Sequence, residues 1–543
     1  MEALEEILSL WQTVYPGLGY KAGIEQCRGQ LFIRSDTAIG QITEWTREIR
    51  SNLHTVQDDD LRATGDALLR AIEVDLSLER PDRVPREIAS TLFAVMLKDD
   101  TAQSFVADLI DRSIEAIQVD QPLWSGHMMT MEEKWHAMRA LDFLSKTLDA
   151  VATNPGVEGK VAELRSAAAG YMNLFYEANL SELGGEQLLT LLASQTAPPS
   201  ALAEHALLLQ EFYGFQETAE EMRLSATRWL EHELEEVGRL VAELSPRYGV
   251  PAHLEDVCTS VGEANAIPTG FLEFATTVTD ALNAFTAEKW LDLAADDYVE
   301  LKETPDYLQP LITEGEVQSF DQLTLRPRSV CFMTPSKNDN LLTLLNVLVH
   351  EYAHGFHDLL TFRTAKHALL KIETPLRTAD TEAIAFHREW ELFEDASAAL
   401  RRGPTSDAEA GLLRLFGATE AEQQLRMDEF EFETRIWRVA RYLRVLCDVA
   451  VHTGALTYSQ FVERAHEQSG LGRQRVHDYC FTFLKDPGYT PCYAVAGMRL
   501  AAIQESAESH GFTRKAFDTL ASSVGFYPLT VFERCLRREF NPV

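Results

Sequence analysis

Three residues in the segment LLNVLVHEYAHGFHDLL, positions 344–360, have the types and spacing to do chemistry together: His350, Glu351 and His354 in the order H-E-x-x-H. Residues four apart share one face of a helix, so the two imidazoles can meet a single metal ion. Glu351 lies one residue beyond the first histidine, within reach of a water at that ion. Zinc brings such a water's pKa toward neutrality, and a neighbouring carboxylate can take its proton during attack on a carbonyl. The expected cofactor is therefore Zn2+, one per chain. The preceding run NLLTLLNVLV is apolar nearly all round, which predicts a buried helix. Two histidines and a glutamate at the end of such a helix are costly to bury unless a partner satisfies them.

A catalytic zinc takes a third protein ligand and keeps one place open. Glu382, in RTADTEAIAFHREWELFED, follows His354 by 28 residues (382 − 354) and is flanked by Ala383 and Ala385, which let its helix approach closely. Glu373 is nearer, but the proline of IETPLR predicts a loop there; Glu389, seven residues along the same helix, is the alternative ligand. His357 falls seven residues after His350 on the same face and could touch substrate. Asp358 or Asp380 could orient a metal-bound imidazole.

The elements that must position these residues are mostly helices. Apolar residues recur three and four apart through the first 240 positions, with breaks at ERPDRVPRE, TNPGVEG and QTAPPSA. The pattern changes near GVPAHL at 249–254, and Ser329–Met333, between Pro327 and Pro335, has the composition of a short strand. Such a strand could hold an extended peptide along its edge. The expected organisation is a helical N-terminal region over 1–245 and a metal-binding, mostly helical region over 246–543.

Composition narrows the partners. The chain of 543 residues carries 84 acidic and 49 basic side chains, a formal net charge of −35. That field repels phosphate backbones and anionic lipid surfaces, so neither nucleic acid nor membrane is expected as a partner. The first twenty residues are acidic and interrupted by charges, unlike a secretory signal. The seven scattered cysteines, without a C-x-x-C pair, read as reduced thiols in a cytoplasmic protein.

With HEYAH followed by TEAIAF, the chain resembles the gluzincin metallopeptidases, and within them thimet oligopeptidase and oligoendopeptidase F. The resemblance implies a mainly α, bilobed enzyme with a deep central cleft and a small β element next to the HExxH helix. It implies cleavage of short or unfolded peptides, with Glu382 completing the zinc site. DPGYTPCYAVAG at 486–497 is similar to that family's tyrosine-bearing loop, and by position Tyr489 and Tyr493 match the residues that stabilise the oxyanion. The family's histidine before the first tyrosine is replaced by Leu484, and His477 is the substitute nearest in sequence. Arg473, Arg475 and Arg499 lie near this loop, and each could hold a substrate carboxylate; Arg499 is the one expected to do so. The expected function is zinc-dependent hydrolysis of peptide bonds in short peptides. The alternatives are hydrolysis of a non-peptide amide in a biosynthetic pathway, or a non-catalytic binding protein on the same scaffold.

Overall fold

The three- and four-residue periodicity of the first 240 positions folds as successive helices in the computed structural model, which describes residues 2–98, 103–127, 129–152, 156–174, 187, 201–267, 270–306, 309, 312, 314–335 and 340–540. At ERPDRVPRE one helix ends at Ser77 and the next begins at Arg83. The break expected at QTAPPSA falls outside the described residues. The helices used below are, in chain order, α1 (Arg83–Lys98), α2 (Ala219–Tyr248), α3 (Leu341–Thr364), α4 (Thr378–Arg402), α5 (Glu420–His452) and α6 (Pro491–Ser509).

Local chemistry sets their ends. Capping boxes start α2 (Thr218 with Glu221) and α5 (Thr419 with Glu422), each satisfying two otherwise orphaned amides. Asn340 caps α3 by accepting from the amides of Leu342 and Thr343, both at 3.0 Å. Pro491 opens α6, where its missing N–H costs nothing. Buried apolar side chains form one contiguous cluster that runs from Ala3 to Phe540.

Among the described residues the fold is mainly helical with one small sheet. Its strands are β1 (Val299–Glu303), β2 (Gly315–Phe320) and β3 (Arg328–Met333), in the order β1-β3-β2. β1 runs parallel to β3, with Val299 opposite Ser329; β2 runs antiparallel, with Gly315 opposite Met333. This corrects the expectation that an extended substrate pairs with 329–333. That strand is central and both its edges are taken, so the free edges belong to β1 and β2. The two flanking strands escaped notice because VELKE and GEVQSF are short and charged, with burial confined to a few positions.

Two glycines let the sheet lie against α3. A Cβ on Gly355 would meet Val299 Cγ2 at 2.6 Å, and one on Gly315 would meet Val347 Cγ1 at 2.9 Å and Glu351 Cγ at 3.3 Å. The start of β2 therefore packs directly beside Glu351. α4 and α6 are in contact at Gly497, where a Cβ would come within 2.3 Å of Phe386 Cδ1.

Candidate metal centre

α3 presents His350 and His354 from successive turns, and α4 brings Glu382 to the same point. His350 Nε2 lies 3.1 Å from His354 Nε2, and Glu382 Oε2 lies 3.4 Å from the first and 3.5 Å from the second. A tetrahedral zinc with bonds of about 2.0–2.1 Å separates its ligand atoms by about 3.3 Å, so the triangle has the size a metal requires. Two ring nitrogens this close cannot both carry N–H groups pointing at each other, and a cation between them removes the conflict. Glu382 Oε2 is buried and has no hydrogen-bond partner, which an ion would supply. Among the described residues these three form a group that could hold a metal ion.

The surroundings fix each ligand. His350 Nδ1 donates to Glu389 Oε1 at 2.8 Å, which leaves Nε2 as the coordinating nitrogen. Arg441 Nη2 donates to the same Glu389 oxygen at 3.1 Å. Glu389, the alternative ligand by sequence, thus meets His350 at Nδ1, while Glu382 is the glutamate that lies near both Nε2 atoms. Burial alone would lower the His350 pKa, but Glu382 and Glu389 outweigh it and raise it to about 9. Burial pushes the Glu382 carboxyl up, and His354 and His350 hold it well below the usual range. Without a metal, a proton takes the place the cation would fill.

Tyr489 donates to Glu382 Oε1 at 2.6 Å, and its oxygen lies 2.9 Å from the Tyr493 hydroxyl. The Tyr493 ring stacks beside His350, with centroids 5.9 Å apart. Burial raises the pKa of both phenols, so both keep their protons and are donors. Their loop is tied down at several points. Gly488 N donates to Asp448 Oδ1 at 2.9 Å, Arg86 of α1 pairs with Asp486 at 3.0 Å, and Arg80 donates to the Lys485 carbonyl at 2.7 Å. Glu351 is half-buried, and its Oε2 accepts from the Val317 amide on the free edge of β2 at 2.9 Å.

The three residues expected to bind substrate lie elsewhere. His357 is fully buried against Phe526, and its ring nitrogens have no hydrogen-bond partner. Burial keeps it neutral, so it packs behind the site. His477 meets the Tyr458 hydroxyl at 3.2 Å and stacks on Phe481. Arg499 is held by Glu217 at 2.7 Å and Glu533 at 2.6 Å. Arg473 and Arg475 pair with Glu463 and Glu255. Glu373 is committed to Lys21 at 2.8 Å, and Asp358 pairs with Arg377 at 3.3 Å. Burial outweighs Arg377 and pushes the Asp380 carboxyl well up, so it offers no anion to an imidazole.

Sequence reasoning missed Arg441 and Arg444 on α5. The signal was present: arginines at 435, 438, 441 and 444 recur every third residue within the otherwise apolar RIWRVARYLRVL. Glu314 and Glu316 of the β2 region were missed too, and nothing in EGEVQSF, residues 314–320, marks them.

No family model matches this chain, and no curated protein matches it. Among solved structures, it matches a putative lipoprotein of unknown function from Shewanella oneidensis with a TM-score of 0.66 at 15% identity, covering 98% of each chain. A putative lipoprotein from Colwellia psychrerythraea matches with a TM-score of 0.62 at 12% identity, over 100% of this chain and 99% of that one. The fold is thus shared end to end with proteins described as lipoproteins and not as peptidases. This overturns the resemblance to gluzincin metallopeptidases, and with it the assignment as an oligopeptidase or carboxypeptidase. H-E-x-x-H and E-A-x-A place ligands on two helices, a local arrangement that does not identify a family. Among the described residues no helix is long and apolar enough to cross a membrane.

Proposed function

We propose that this chain hydrolyses an amide bond with the help of one zinc ion held by His350, His354 and Glu382. The observation that carries the reading is the triangle of ligand atoms, 3.1, 3.4 and 3.5 Å on its sides, with Glu351 one residue away on the same helix. Bound there, zinc would act as a Lewis acid that makes water nucleophilic and polarises the carbonyl.

The remaining steps belong to the protein. Glu351 Oε2 is fixed by the Val317 amide, so Oε1 is the oxygen that receives the proton of the attacking water and later delivers it to the leaving nitrogen. Glu389 and Arg441 hold the His350 ring in its coordinating orientation. Tyr489 and Tyr493 donate toward the oxygen that gains charge, once substrate displaces their present contacts.

The proposed setting is the cytoplasm, supported by seven free thiols, six of them buried. The lipoprotein description of the structural neighbours names the rival setting, an exported lipid-anchored protein. Cell fractionation separates the two.

Metal analysis of the protein, followed by assays on peptide and non-peptide amides, tests the function. We expect about one zinc per chain, lost in His354→Ala and in Glu382→Ala. Glu351→Gln should keep the metal and lose turnover by roughly 10²–10⁴-fold. Protein that takes up no added zinc would sink the reading. So would a zinc-loaded protein inert toward both amide classes.

A further inference from the structure

α5 carries a line of arginines at 435, 438, 441 and 444, and all but the last have a carboxylate. Arg435 and Arg438 share Glu233, each at 2.8 Å, and Arg441 has Glu389 at 3.1 Å. Arg444 is 6% exposed, and among the described residues no carboxylate lies within salt-bridge distance of it. Its Nε donates to the Tyr479 carbonyl at 2.7 Å, while its Nη1 is buried with no hydrogen-bond partner. A buried guanidinium with no carboxylate in contact has lost its water without a paired charge to replace it. Scarcity of acids does not explain the gap, because this chain carries 84 acidic residues against 49 basic ones.

The position of Arg444 gives the gap a meaning. Its guanidinium stacks 4.0 Å from the Phe483 ring centre and lies 5.9 Å from that of Tyr493. The Tyr493 ring is itself 5.9 Å from His350 and is covered by Arg441 at 4.3 Å. The arginine pair is thus one aromatic ring away from the metal ligands. Burial raises the Glu314 carboxyl pKa, Arg444 and Arg441 lower it, and Glu351 adds to the rise.

We propose that Arg444, backed by Arg441, docks a carboxylate of the substrate, so that the amide cleaved at this centre belongs to a molecule with a free carboxylate. This rests on the hydrolytic reading above for what happens next, but not for the binding itself. The stacking on Phe483 fixes the plane of the guanidinium and leaves its edge to a planar anion, the geometry of a two-point carboxylate contact.

The test is calorimetric binding of N-benzoylglycine and of its neutral analogue N-benzoylglycinamide to the full chain, zinc-loaded and zinc-free. Wild type should favour the carboxylate at least about tenfold. Arg444→Gln should erase the preference, and Arg444→Lys, which keeps the charge but not the planar fork, should keep only part of it. Circular dichroism checks that each variant is folded; if the glutamine variant is not, the lysine variant carries the comparison. Equal affinity for the two probes, including no binding of either, overturns the proposal. A preference that survives intact in the folded variants overturns it as well. Carboxylate preference without hydrolysis of any amide would defeat the hydrolytic reading alone. Hydrolysis indifferent to a carboxylate would defeat this one alone.

Discussion

His350 uses its two ring nitrogens for different tasks: Nε2 faces His354 and Glu382, while Nδ1 is committed to Glu389. Removing the second contact should leave the ligands in place but free the ring to rotate. Glu389→Gln is therefore expected to weaken zinc binding by about 10–100-fold without abolishing it, measured by competition with a chelator. Loss of binding as complete as in Glu382→Ala would make Glu389 a ligand after all. Of this arrangement, the histidine pair could be read from a four-residue spacing. Glu382 could be favoured from its small neighbours, but spacing alone could not separate it from Glu389, because residues seven apart on one helix share a face and only contact across helices tells them apart.

At the scale of elements, the site depends on how closely helices and sheet approach. Gly497 permits the contact of α6 with α4, the helix that carries Glu382 and Glu389. Gly497→Ala places a Cβ 2.3 Å from Phe386 Cδ1. Overpacking of this kind costs about 1–3 kcal/mol, more than the roughly 1 kcal/mol that alanine gains over glycine in a helix. Gly238→Ala in α2 is the control: nothing lies within 4 Å of its Cβ, so only the helical gain remains. Urea denaturation should show the first variant destabilised and the second stabilised by about 0.5–1 kcal/mol; stabilisation of both would mean that α4 and α6 can separate cheaply. Helices of this kind were legible from periodicity. The pairing of β1 and β2 with β3 was not, since strands of five and six residues with charged faces owe their existence to contacts with α3.

For the whole molecule, buried neutral histidines set the acid limit. Burial lowers His136 to about 3 and His452 to about 4, outweighing the nearby carboxylates. In the unfolded chain each titrates near 6.5, so below that pH the unfolded state binds protons that the folded state refuses. Stability should fall as pH drops below 6.5, by about 2 kcal/mol per histidine at pH 5. Urea denaturation at pH 7 and pH 5 measures the drop, and His452→Gln should remove its share. A flat profile over this range, which lies above ordinary carboxylate titration, would show that these rings are protonated in the fold.

The sequence by itself determined a mainly helical chain, its principal breaks, the H-E-x-x-H pair and a strong acidic balance, because periodicity, capping and charge are local or additive properties. Tertiary structure decided the rest. It decided which glutamate faces the imidazoles, that 329–333 lies inside a sheet, that His357 is buried while His477 and Arg499 have other partners, and that among the described residues no carboxylate lies within salt-bridge distance of Arg444. Each of these depends on what another segment, distant in the chain, brings within about 3–4 Å, the range over which hydrogen bonds and ion pairs act. Family likeness was the least secure inference for the same reason. A few ligand-bearing residues constrain two helices, whereas the end-to-end match to putative lipoproteins reflects the packing of the whole chain.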